Sequence, residues 1–178
     1  MLLAAYDAHL ERQRRRRDQL GAIVNAFNSV GVEPLLLKGS RYLLLDTGSW
    51  CEARDMRDLD ILCRRDEAAK AAKALERIGY RSGEISFPTD HHLPLMWLEQ
   101  APSAVEVHTE ALSFEAREIL PTETVWQHAA RRTNEYGAFL ALPDPWQLLV
   151  GLLHHQVSDR GYPRRVLALK ALWEFASI

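Results

Sequence analysis

"RDLDIL", residues 57–62, alternates carboxylate and apolar side chains from Asp58 onward. A strand, with its period of two, puts Asp58 and Asp60 on one face about 6.6 Å apart and Leu59 and Ile61 on the other. The apolar residues predict a buried strand, and a buried strand carries charge only where something pairs with it. Two carboxylates at this separation can share one divalent ion or bracket a pair of ions about 3.5–4 Å apart. The pair alone is a weak signal, because a chain with 24 acids in 178 residues holds about three acid-x-acid pairs by chance. Its weight rests on the segments around it.

Upstream stands "LLLKGS", residues 35–40. Pro34–Leu37 read as a short buried strand, broken by Gly39 and Ser40, and "RYLLLD" (41–46) reads as a short helix. A strand running into Gly-Ser and a helix presents backbone N–H groups to an anion. Gly39 lets a phosphate approach the backbone, the Ser40 hydroxyl can donate to it, and Lys38 adds positive charge. A tight strand-to-helix turn with Ser40 as cap explains the same residues without a ligand. Downstream, "VEVH" (105–108) places Glu106 and His108 on one face of an apolar strand. They are either the wet side of a surface strand or a third carboxylate and an imidazole beside Asp58 and Asp60.

The rest of the chain predicts alternating elements. Residues 4–30 form a helix whose "RRRR" run (14–17) points around it, as a solvated stretch with Glu11 and Asp18 as partners. "RDEAAKAAKALERIGY" (65–80) is a helix stopped by Gly79. "HLPLMWL" (92–98), "AVEVHTE" (104–110) and "GAFLALP" (137–143) are strands, "TGSWCEARDM" (47–56) is a loop, and residues 111–135 are helical in part. "DPWQLLVGLLHHQVSD" (144–159) is a helix with Asp144 as cap and Pro145 in first position, and "RRVLALKALWEF" (164–175) is another. His154 and His155 read as packing or surface residues, and Trp97 and Trp146 as core. The expected class is α+β: a mixed α/β core with a small mixed sheet flanked by helices, plus a helical C-terminal extension. The expected division is an N-terminal helix (1–31), the core (32–142) and the C-terminal helices (143–178).

Composition narrows the function classes. At 47% hydrophobic and 26% charged residues the chain is globular. A net charge of −2 exerts no global pull toward nucleic acid or an acidic membrane, which also weighs against a metal nuclease. Cys51 and Cys63 have neither zinc spacing nor a disulfide framework and read as free thiols. No apolar run approaches the roughly 20 residues that span a bilayer, so a cytoplasmic protein is expected.

In this order, "LLLKGS", Arg54, "DLDILC", "KALERIGY", His91 or His92, and "VEVHTE" resemble the bacterial uncharacterised nucleotidyltransferase family. More broadly, the chain resembles the superfamily that includes DNA polymerase beta and aminoglycoside nucleotidyltransferases. The resemblance covers about residues 30–112 and extends more weakly into the C-terminal helices. The gap from Ser40 to Asp58 exceeds that of the minimal superfamily motif, and the C-terminal helical region looks short. The resemblance implies that Asp58, Asp60 and Glu106 are catalytic and hold two Mg²⁺ ions, or Mn²⁺ in their place. It implies that Gly39 and Ser40 bind the triphosphate of an NTP, that Lys38, Arg54 and, more weakly, Arg57 neutralise it, and that His91, His92 and His108 line the pocket. The implied activity is transfer of a nucleoside monophosphate to a hydroxyl of a small molecule or protein, with pyrophosphate leaving. The alternative is a non-catalytic nucleotide- or partner-binding module on the same fold, an antitoxin or a biosynthetic accessory.

Overall fold

The fold is described from a computed structural model, which describes residues 2–45, 56–83, 91–167 and 176. The chain begins with a long helix, α1 (Leu2–Ser29), and then runs β1 (Leu35–Leu36), α2 (Lys38–Leu44), β2 (Asp58–Leu62) and α3 (Ala68–Arg77). Next come β3 (Arg81–Ser82), β4 (Met96–Trp97), β5 (Ala104–His108), α4 (Thr122–Gln127), β6 (Ala130–Asn134) and β7 (Gly137–Ala141). α5 (Asp144–Leu153) passes into a π-helical turn over His154–Ser158, and α6 (Gly161–Arg164) follows. The strands form one mixed sheet in the order β3-β4-β5-β2-β1-β7-β6. β2 lies parallel to β5 and antiparallel to β1, and β1 lies parallel to β7.

The alternation in β2 sorts its residues between two packed layers. Leu59 and Ile61 enter a core with Val105 and Val107 of β5, Leu20, Ile23, Val24 and Phe27 of α1, and Ala71, Ala74 and Leu75 of α3. Leu62 turns the other way, into a second core with Leu35, Leu37, Leu112, Val125 and Val150. Asp58 and Asp60 share that second face, Asp60 buried and Asp58 half-buried. Asn28 fastens α1 to the sheet. Its amide donates to the Val32 and Ala138 carbonyls (3.0 and 2.9 Å) and its Oδ1 accepts from the Ala138 N–H (2.7 Å). A Cβ on Gly137, whose φ is +125°, would collide with that Oδ1, so this contact and this backbone both require glycine. Cys63 is fully buried just past β2, its N–H donating to the His108 carbonyl at 2.9 Å. Burial, then the charge of Glu67, pushes its thiol up.

Several expectations are corrected. α2 starts at Lys38, not Arg41, so Gly39 and Ser40 form its first turn and the capping position is Leu37, with no side-chain cap. β6 falls in the region expected to be partly helical. Its sequence, ARRTN, lies at the sheet edge with its middle residues exposed, so it shows no apolar alternation. Pro143, not Asp144, precedes α5 as cap. Trp97 lies on the short strand β4, exposed rather than in the core, while Trp146 is half-buried against the second core. The arginine run is not simply solvated. Arg14 pairs with Glu11, but Arg16 is buried on Ser103 and Gln13, Arg15 bonds the Gln100 carbonyl and Arg17 the Leu43 carbonyl. The helix expected at 164–175 does not begin there, since Arg164 ends α6 and Arg165 is left-handed; its remainder from 168 lies outside the described residues. Among the described residues no helix is long and apolar enough to cross a membrane.

Candidate active site

The parallel pairing of β2 with β5 sets Asp60 directly beside Glu106, and Leu62 beside His108. On β5 the period of two carries His108 to the same face as Glu106. One ligand atom from each of Asp60, Glu106 and His108 lies within 4.8 Å of the others. His108 Nε2 stands 3.0 Å from Asp60 Oδ1 and 3.4 Å from Glu106 Oε2. The Lys38 ammonium reaches the same Asp60 Oδ1 at 2.7 Å. Lys38 is a non-glycine residue at φ +47°, a left-handed backbone that side chains adopt only where surroundings impose it. Here Gln147 of α5 donates to its carbonyl at 3.1 Å.

The electrostatics follow from this crowding. Burial alone would raise the Asp60 carboxyl, but the Lys38 charge and the His108 hydrogen bond override it and hold it far below the usual carboxylate range. The His108 hydrogen bond likewise holds Glu106 low, against burial and the repulsion of Asp60. Asp58 shifts the other way: burial, then repulsion from Asp60 and Glu106, raises it despite Lys38. His108 is raised, because its bonds to the two carboxylates and the charge of Asp60 outweigh the burial that opposes ionisation.

A pH dependence of stability follows for the metal-free protein. His108 gains affinity for its proton on folding, so its contribution is complete below its ordinary value of 6.5 and is lost as pH rises through its raised folded value. Asp60 works in the opposite sense: its contribution is present above 3.8 and disappears only in strong acid. Denaturant midpoints in chelator are therefore expected to fall from pH 6 toward the alkaline side, and His108→Gln to flatten that slope. A midpoint that climbs over this interval contradicts the assignment.

The other expected site residues are placed as follows. Asp58 is half-buried at the start of β2, and Arg57 is exposed just before it. Asp58 feels both carboxylates but lies outside the close trio; His108 takes the place the sequence reading gave it. Gly39 and Ser40 are buried in the first turn of α2, and Ser40 Oγ has no hydrogen-bond partner among the described residues. Arg54 lies outside the described residues. The His91 ring is 4.7 Å from His92 and 5.7 Å from His108, and His92 forms an isolated bridge with His108.

Three residues reach this neighbourhood that the sequence reading did not assign to it. Gln147 holds Lys38. His154, buried in the π turn, has its ring 6.1 Å from His91 and 6.4 Å from His108. Asp159 stands 3.4 Å from His154 Nδ1 and is lowered by His154 and by the charge of Lys38, against its burial. A π turn is rare and often marks a functional site, but no sequence period announces one. Two carboxylates and an imidazole suit a divalent ion, and His108 Nδ1, buried without a partner among the described residues, leaves Nε2 as the nitrogen turned to the acids.

A lincosamide antibiotic adenylyltransferase, LnuA, solved with lincomycin bound, shares the fold with a TM-score of 0.53 at 16% identity, over 87% of this chain and 90% of that one. No curated protein matches the sequence. The family described as "Uncharacterised nucleotidyltransferase" matches residues 1–178. With the whole chain covered by that family, the protein belongs to the uncharacterised nucleotidyltransferase family.

Proposed function

We propose that the protein is a metal-dependent nucleotidyltransferase that moves a nucleoside monophosphate from an NTP to a hydroxyl of a small molecule or protein. The observation that carries this is the meeting of Asp60, Glu106 and His108 beside the Lys38-Gly39-Ser40 turn. Asp60 and Glu106, with Asp58 and His108 beside them, would hold Mg²⁺ or Mn²⁺. A divalent ion there would neutralise phosphate charge and favour the leaving pyrophosphate. Gly39 admits the triphosphate to the backbone, and Lys38 and Arg57 offset its charge. The acceptor oxygen attacks the α-phosphorus in line, its bond to the pyrophosphate oxygen breaks, and the hydroxyl proton passes to Glu106, which His108 keeps ionised. His91, His92 and His154 gather around His108, with Asp159 against His154, and would line the acceptor side of the pocket. The acceptor of LnuA, an antibiotic, makes small hydroxylated molecules the first panel to try.

The test is pyrophosphate release from each NTP, with Mg²⁺, Mn²⁺ or chelator, across hydroxylated small molecules and protein acceptors. Release that needs both metal and acceptor is the expected result. The seating of Lys38 on Asp60 favours one second reading, a nucleotide-binding module that performs no transfer. Calorimetric NTP binding with no pyrophosphate release across the panel would establish that reading instead.

A further inference from the structure

Asp60 Oδ1 is the atom a divalent ion would take, and a cation already sits on it. Lys38 Nζ lies 2.7 Å away, and His108 Nε2 approaches the same oxygen at 3.0 Å. An ion ligated at about 2.0–2.2 Å by this oxygen would face the ammonium across a few ångström with like charge and little solvent, since the Asp60 side chain is 5% exposed. Both cannot keep the oxygen.

The structure shows which of them can leave. The Lys38 backbone is fixed by its left-handed conformation and by Gln147, but its side chain remains 19% exposed. The ammonium can therefore swing without rebuilding α2. It is attached one residue before Gly39, where the phosphates would approach. Asp159, which pairs with His154 and feels the Lys38 charge, is a second anion in the same neighbourhood.

We propose that Lys38 is a tethered counter-ion that competes with the divalent metal for Asp60 and is drawn off by the nucleotide's phosphates, so that metal and NTP bind with positive coupling. The inference rests on the nucleotidyltransferase reading for its nucleotide half alone. Lys38 thereby acts as a positioning residue: it suppresses metal loading of the empty site and delivers its charge to the phosphates when the site fills.

The experiment measures Mn²⁺ binding by calorimetry and by the electron paramagnetic resonance of free Mn²⁺, with and without a non-hydrolysable α,β-methylene NTP. Wild type should bind Mn²⁺ weakly alone and about tenfold more tightly with the analogue, an ordinary scale for coupled sites. Lys38→Met should bind Mn²⁺ alone about tenfold more tightly than wild type and lose most of the coupling, while Lys38→Arg should keep both wild-type properties. A purely structural role predicts the reverse sign, since loosening the site weakens metal binding. Folded Lys38→Met with Mn²⁺ affinity equal to or below wild type overturns the proposal. So does wild-type binding in which the analogue leaves Mn²⁺ affinity unchanged although it binds, a measurement that stands even if Lys38→Met does not fold. If Lys38→Met gains Mn²⁺ affinity but the analogue never binds, the competition is supported and the nucleotidyltransferase reading fails.

Discussion

Asp60→Asn is expected to lower nucleotidyl transfer by about 10³-fold or more, because a bound divalent ion supplies several kcal/mol of transition-state stabilisation and each 1.4 kcal/mol is a factor of ten. The substitution keeps the shape of the side chain and removes its charge. Asp60 is 4% exposed and anchors both Lys38 and His108, so stability also falls; removing one member of a buried pair costs about 3–5 kcal/mol at the upper end. Asp58→Asn separates the two effects. Asp58 is half-buried and its carboxyl is raised by burial and then by repulsion from Asp60 and Glu106, so losing its charge relieves both. Its variant should melt at or above the wild-type temperature and still lose transfer. Pyrophosphate release and thermal melting on the two proteins decide the matter: full transfer by Asp60→Asn removes the carboxylate strand from the mechanism, and full transfer by Asp58→Asn alone removes Asp58.

Phe27→Ala is expected to bring the whole fold near its limit. Phe27 is fully buried on the sheet-facing side of α1, in the core that also takes Leu59 and Ile61 from β2. Removing a buried aromatic ring costs about 3–5 kcal/mol, through lost transfer energy and the cavity left behind. Domains of this size hold only about 5–15 kcal/mol in all. The urea midpoint should drop accordingly, and the metal-free and metal-loaded proteins should drop together. A loss below about 1 kcal/mol would mean that α1 is not packed where the fold places it.

Much of this site was legible before the fold was known, and the reason is periodicity. β2, β5, β7 and α3 announce themselves by alternation or by helix-forming composition, and "DLDIL" and "VEVH" carry their own facing. What the sequence cannot express is register. That Asp60 meets Glu106 depends on β2 and β5 lying parallel as neighbours, across 45 intervening positions of chain. Register also decides the membership of the trio. Read along β2, Asp58 and Asp60 are the natural partners; read across the sheet, His108 is the closer third group. His154 and Asp159 were illegible for another reason: a π turn, not a regular helix, carries them toward Lys38. The arginines of α1 were misread because four consecutive residues around a helix look solvated until the segments that Arg15, Arg16 and Arg17 bind are in place.

The buried thiol at the end of β2 has a use beyond packing. Cys63 is sealed between the layers, its backbone tied to His108, and its thiolate is disfavoured by burial and by Glu67. A thiol is reactive only as exposed thiolate, so in a Cys51→Ser background a sulfhydryl reagent would react only while β2 and β5 stand apart. Rate of labelling thus becomes a clock for the opening of the two strands that carry the carboxylates. Any ligand that bridges Asp60 to Glu106 would slow that clock, which makes one cysteine a label-based screen for whatever the site binds.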